Sequence, residues 1–120
     1  MTDRKVSIVG LGKLGLPMAA CFASKGFNTI GVDLDAEKIA ATNKGIPSIF
    51  EPGLEELLKS GHQHLSATQD IQEAVLGSEV TFIVVPTPSE AEGGFTLKYV
   101  LSACNSIGEA LRSKNDFHLV

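Results

Sequence analysis

Gly10-Leu11-Gly12-Lys13-Leu14-Gly15 has the spacing G-x-G-x-x-G, and an acid, Asp33, stands eighteen positions beyond the last of these glycines. Residues of these types at these distances can hold a dinucleotide, provided a strand precedes them and a helix follows. Gly10 would allow a tight turn off the strand. Gly12, lacking a Cβ, would let a pyrophosphate approach the backbone, and Gly15 would let the helix pack close to the sheet. The N–H groups of Lys13 and Leu14, at the positive end of the helix dipole, could then hold the phosphates. Asp33 could accept hydrogen bonds from both hydroxyls of a ribose, and its charge would repel a 2′-phosphate, which favours NAD over NADP. The alternative is a glycine turn in a doubly wound protein that binds no nucleotide, and the acid after the second strand weighs against it.

Two further spots bear on the same chemistry. Lys38, five residues past Asp33 in the first turn of the next helix, could reach the ribose or a phosphate, and could equally be a solvated lysine. In Val85-Pro86-Thr87-Pro88-Ser89 the two prolines hold Val85 and Thr87 extended, which makes a stiff loop. That loop follows the fourth strand, beside the point where strand order reverses, so Pro86 and Thr87 are expected at the crevice, with Thr87 facing the cofactor ribose. Its other reading is a rigid structural turn.

Other reactive residues have plainer readings. Cys21 and Cys104 lie on helical stretches without a paired histidine and are read as core thiols, not nucleophiles. His62, His64 and His118 lack a third ligand, so no metal site is expected. Glu90, Glu92, Gly93 and Gly94 read as a mobile solvated loop near the crevice. No catalytic residue is assigned.

These residues need elements to position them. Val6 to Val9 forms an apolar run ending at Gly10, as in a strand buried on both faces. Residues 13–25 read as a helix on the apolar spacing of Leu14, Met18, Cys21 and Phe22, with Pro17 in its first turn and Gly26 ending it. A strand follows over 27–32. Asp35 can cap a helix over 36–43, and a further helix is expected from Pro52 at its first position to Lys59, ending at Gly61. Leu65 to Thr68 forms a short strand, Asp70 caps a helix to Leu76, and Val80 to Val85 is the strongest strand pattern. A helix over 96–112 precedes a last strand beginning near Phe117. This alternation predicts an α/β fold, a Rossmann-like doubly wound parallel sheet with helices on both faces.

The 120 residues suffice for one domain, and 43% hydrophobic with 20% charged side chains is ordinary globular composition. Ten basic against fourteen acidic residues, with no basic run, argue against nucleic acid or an anionic membrane as partner. No apolar run is long enough to span a bilayer, and no signal-peptide core follows Met1. A cytoplasmic protein is the expectation. Phe117-His118-Leu119-Val120 ends in mid-pattern, so the chain reads as truncated after strand five.

Four segments together resemble one family. Val9 to Pro17, Val32-Asp33-Leu34-Asp35 with Lys38, Glu51 to Leu58, and Val85-Pro86-Thr87-Pro88 are similar to the N-terminal NAD-binding domain of the UDP-glucose/GDP-mannose dehydrogenase family. The resemblance implies oxidation of the C6 hydroxyl of a nucleotide sugar to a carboxylate, with two NAD and a covalent thiohemiacetal on a cysteine. Such chemistry serves polysaccharide biosynthesis, and some members take UDP-N-acetylhexosamines. It also implies NAD contacts at Leu14, Asp33, Lys38 and Thr87. The family's catalytic cysteine, lysine and glutamate would lie after Val120, so residues 1–120 are expected to be a C-terminally incomplete NAD-binding domain, inactive alone. The nucleotide-sugar substrate would be bound by the missing region of a homo-oligomeric parent. Two other readings stay open. One is a β-hydroxyacid dehydrogenase-type cofactor domain, which shares the Gly10 to Ala19 opening. The other is a regulatory nucleotide-sensing module of the potassium-channel type.

Overall fold

The structure, a computed structural model, describes residues 3–120. Its elements are β1 (Lys5–Val9), α1 (Gly15–Ser24), β2 (Asn28–Val32), α2 (Ala36–Asn43), α3 (Leu54–Gly61), a 3₁₀ turn (His62–His64), β3 (Leu65–Thr68), α4 (Ile71–Leu76), β4 (Val80–Ile83) and α5 (Lys98–Leu111). The four strands are all parallel, in the order β3-β2-β1-β4. Reversal of strand order at β1 places β4 on its other side, which is the doubly wound arrangement expected from the alternating pattern.

Side chains of β1 alternate between two cores. Val6 and Ile8 pack with Leu16, Ala19, Ala20 and Ala23 of α1 and with Leu54 and Leu58 of α3. On the other face Val9 joins Val32, Ala74 and Ala103, and Val75, Ile107 and Ala110 continue the contact between α4 and α5. The α1–α3 crossing is close because Gly61 lies against the backbone of Ala23 and Ser24, where a Cβ would come within 2.7 Å.

Helix α1 departs from the sequence expectation in its orientation. Its buried side is Gly15, Leu16, Ala19, Ala20 and Ala23, whereas Leu14 and Cys21 are exposed and Met18 and Phe22 half-buried. A helix lying directly on a sheet needs small side chains beneath it, so the alanines turn inward and the larger apolar stripe turns aside. Cys21 is therefore not a core thiol. Nor is Cys104, which is exposed on α5, flanking the buried face of Ala103, Ile107 and Ala110.

Two helix starts show how local chemistry sets boundaries. Asp35 caps α2 by accepting from the N–H groups of Glu37 and Lys38, and Asp70 caps α4 through those of Gln72 and Glu73. Helix α3 begins later than expected. Gly53 has φ +84° and the Leu54 N–H donates to the Glu51 carbonyl, so Pro52 and Gly53 form the centre of a type II turn. Pro52 accordingly lies outside the helix, not at its first position.

Both outer strands of the sheet acquire partners. On β3, Ala67 is held by the Asn43 amide, which accepts from its N–H (2.8 Å) and donates to its carbonyl (3.0 Å). The last residue of α2 thus imitates a neighbouring strand and shields the edge. On β4, Leu119 pairs in parallel with Val80, its N–H donating to the Glu79 carbonyl (3.0 Å). This is where the sequence pattern begins a fifth strand. Glu90 to Gly94 forms a closed turn below a Ser89–Phe95 antiparallel bridge, with the Gly93 N–H donating to the Glu90 carbonyl (3.0 Å). Residues 90–94 are all exposed, in keeping with the solvated loop read from the composition.

Candidate functional site

The glycine turn leaves β1 when the Gly10 N–H donates to the Val32 carbonyl at 2.7 Å, the last rung between β1 and β2. Gly10 then adopts φ +108°, and a side chain there would run into the Val84 carbonyl. Gly15 lies so close beneath the Gly10 carbonyl that any Cβ would overlap it. Gly12 is different, since nothing lies within 4 Å of the place its Cβ would occupy. Two glycines therefore serve internal packing, and one faces open space.

Beyond the turn, the N–H groups of Leu16 and Met18 are taken by the carbonyls of Gly12 and Leu14. Leu14 sits at the N-cap of α1 and supplies no side-chain cap. Among the described residues, the N–H groups of Gly12, Lys13 and Leu14 have no hydrogen-bond acceptor. A helix amino end with unpaired donors, beside a glycine that leaves room, fits a phosphate.

Asp33 ties this turn to the next connection. Its Oδ2 accepts from the Leu11 N–H and its Oδ1 from the Asp35 N–H, each at 2.9 Å. Each carboxylate oxygen has a further lone pair, so the braced group can still accept from a diol. The backbone beyond it is held from across the sheet by Gln69, whose Nε2 donates to the Leu34 carbonyl at 2.8 Å.

A cleft of about 520 Å³ opens at these strand ends. Gly10, Asp33, Lys38 and Pro86, four of the nine singled-out residues, line it. Lys38 is half-buried there and forms no ion pair among the described residues. Gly12, Lys13, Leu14 and Gly15 belong to the turn outside the cleft lining, and Thr87 is exposed and also outside it. The stiff loop thus contributes Val85 and Pro86 to the wall, not Thr87.

Sequence reasoning missed the opposite walls. Gln69, Asp70 and Ile71 come from the start of α4, and Tyr99, Ser102 and Ser106 from α5. The serines share a face of α5 with buried Ala103 and Ile107. That mixture of polar and core residues on one side was the available signal, but only the packing shows that it borders a cleft. Among the described residues no three metal-ligating side chains cluster, and no helix is long and apolar enough to cross a membrane.

With this geometry in hand, comparison with known proteins is decisive. Residues 4–120 match the model of the UDP-glucose/GDP-mannose dehydrogenase family, NAD binding domain. GDP-mannose 6-dehydrogenase of Pseudomonas aeruginosa is 45% identical over 118 residues, covering 97% of this chain and 27% of that protein. UDP-glucose 6-dehydrogenase AglM of Haloferax volcanii is 41% identical over 117 residues, with the same coverage of each chain. A crystal structure of a ternary complex of GDP-mannose dehydrogenase from Pseudomonas aeruginosa superposes with a TM-score of 0.92 at 44% identity, over 95% of this chain and 27% of that one. The chain thus spans about a quarter of the length of these relatives. The two alternative readings of the glycine motif give way to this match. The chain belongs to the UDP-glucose/GDP-mannose dehydrogenase family, and its residues 4–120 match that family's NAD-binding domain.

Proposed function

We propose that this chain is the cofactor-holding part of a nucleotide-sugar 6-dehydrogenase, whose whole protein oxidises the C6 hydroxyl of a UDP- or GDP-sugar to a carboxylate with two NAD. Residues 1–120 are a C-terminally incomplete domain in this reading. The substrate site and catalytic groups belong to the remainder of a homo-oligomeric parent. Asp33 receives the adenosine ribose, Lys38 the ribose or its phosphate, and the N–H groups of Lys13 and Leu14 the pyrophosphate beside Gly12. Gly10 and Gly15 shape the turn. Pro86 bounds the cleft, and Thr87 lies further along the same loop toward the nicotinamide half. The single observation that carries this reading is the position of Asp33, braced by two backbone N–H groups at the mouth of the cleft. The exposed free thiols of Cys21 and Cys104 suit the reducing cytoplasm in which we place the parent.

The test is calorimetric titration of the chain with NAD. Asp33→Ala should weaken NAD about 10- to 100-fold, the worth of charged hydrogen bonds at about 1.5–3 kcal/mol. Asp33→Asn, which removes the charge and keeps the shape, should narrow the gap between NAD and NADP. Unchanged affinities in both variants would sink the assignment. In the longer parent, reduction of NAD with a UDP- or GDP-sugar, and none from the 120-residue chain alone, completes the reading.

A further inference from the structure

The cleft holds one polar group that neither the glycine turn nor the ribose would use. Asp33, Lys38 and Ser106 are its half-buried polar side chains; Gln69, Asp70, Gln72, Tyr99 and Ser102 are exposed at its rim. Ser106 Oγ has no hydrogen-bond partner among the described residues. Serines within helices commonly return their proton to a carbonyl of the preceding turn, and this one does not. Elsewhere on the same face of the sheet the hydroxyls of Ser7, Ser78 and Thr81 are all paired. The Ser106 Oγ is not fully buried, so it is open to water or to a ligand entering the cleft.

Around Ser106 the cleft offers Val9, Val32, Ile71 and Ala103, a lining suited to the flat face of a heteroaromatic ring. With a ribose held at Asp33, the base extends from that sugar into the recess. The edge of a purine remote from its sugar is the edge that carries the exocyclic amino group in adenine. In a base lying along the recess, that edge would face the wall that α5 supplies, where Ser106 joins the lining.

We propose that Ser106 is a specificity-determining residue of this cleft, its Oγ accepting a hydrogen bond from the exocyclic amino group of adenine. The inference rests on the reading of the cleft as the adenosine end of an NAD site. Ser102, one turn earlier on the same face and exposed, sits at the rim and does not substitute for it.

The experiment pairs a side-chain deletion with a ligand deletion. Wild-type chain and Ser106→Ala are titrated with adenosine 5′-monophosphate and with purine riboside 5′-monophosphate, which lacks the amino group. Alanine is a strong helix former, so α5 is preserved, and a thermal melt verifies this. Ser106→Ala should weaken the adenine nucleotide about five- to tenfold, the worth of one hydrogen bond, and change the purine nucleotide less than twofold. Equal losses for both ligands would assign Ser106 a merely structural role and overturn the proposal, as would no loss for either. Ser102→Ala should leave both within twofold, and a loss there confined to the adenine nucleotide would move the assignment to Ser102. Wild-type titration with NAD separates the two levels. NAD binding with flat Ser106→Ala results removes this inference alone, whereas no NAD binding removes the site reading beneath it.

Discussion

The two ends of α5 border polar regions of opposite character. Toward its amino end lies the cleft, where Ser106 Oγ and Lys38 Nζ lack protein partners, and beside the cleft the N–H groups of Gly12, Lys13 and Leu14 lack them too. At its carboxyl end a polar cluster is closed upon itself. Lys114 Nζ donates to the Val75 carbonyl (3.3 Å) and to His118 Nδ1 (3.0 Å). An ammonium can only donate, so Nδ1 accepts and the His118 proton resides on Nε2, which donates to Thr81 Oγ1 (2.7 Å). Thr81 then donates to Ser7 Oγ (2.7 Å); Ser78 Oγ lies 3.0 Å from Ser7 and donates to the Ala74 carbonyl (2.8 Å). This chain of contacts links β1, β4, α4 and the segment after α5. The contrast separates two uses of polar residues in one fold. Where donors and acceptors match internally they fasten elements together, and where they are left open around a recess they are set for a ligand.

The largest effect should come from joining the two roles at one glycine. Gly15→Ala forces a methyl group into the Gly10 carbonyl, so the turn must shift. Destabilisation of about 3 kcal/mol, the upper end of overpacking costs, is expected by denaturant unfolding, together with loss of NAD binding. A cost below about 1 kcal/mol would show that the turn relaxes freely. Next comes the closed cluster. Thr81→Val removes the hydroxyl that joins Ser7 to His118, leaves His118 Nε2 without its acceptor, and should cost about 2 kcal/mol of stability while NAD affinity changes little. A parallel loss of affinity at full occupancy of the fold would blur the division between the two ends.

Asn43→Ala removes both bonds to Ala67 and should cost about 1–2 kcal/mol, measured by thermal or denaturant unfolding. Because Asn43 anchors the helix that carries Lys38, a small loss of NAD affinity should accompany it. The closed cluster should also respond to pH. Burial first, and then the Lys114 cation, hold His118 below its ordinary value of 6.5, against raising contributions from the Ser78 backbone and Asp116. The unfolded chain therefore binds more protons between the folded value and 6.5. The stabilising contribution is complete above 6.5 and declines as pH falls through that interval. Denaturation midpoints measured from pH 7.5 down to 5 should show this decline, and His118→Gln should flatten it. The smallest change in stability is expected for Gly12→Ala, within about 0.5 kcal/mol. Gly12 faces open space, yet the added methyl group should weaken NAD markedly. Stability lost there, with binding retained, would reverse the roles assigned to the glycines.

Much of the fold was legible because it depends on neighbours in sequence. The caps by Asp35 and Asp70 and the end of α1 at Gly26 follow from a few adjacent residues. So do the parallel strands, whose apolar runs sit between turns. Pro52 was misplaced because a proline suits both the first position of a helix and the second residue of a type II turn. Gly53 decides between them. The inward face of α1 was misread because that helix is apolar on several sides, and periodicity could not tell a sheet-facing alanine stripe from the stripe of Leu14, Met18, Cys21 and Phe22. Thr87 stands outside the cleft lining for a related reason: a loop's stiffness follows from its prolines, but which of its residues borders the cleft does not.

By itself the sequence determined the glycine turn, the acid at the end of β2 and the order of strands and helices. These are local matters of backbone freedom, capping and hydrophobic run length. Only the tertiary structure decided what surrounds them. Ser7 meets Thr81 across 74 positions, Thr81 meets His118 across 37, and Asp33 reaches back 22 to the Leu11 N–H. Pairings at such separations arise from how the helices settle on the sheet. The same settling brings Ser106 to a cleft whose glycine lies almost a hundred residues earlier in the chain.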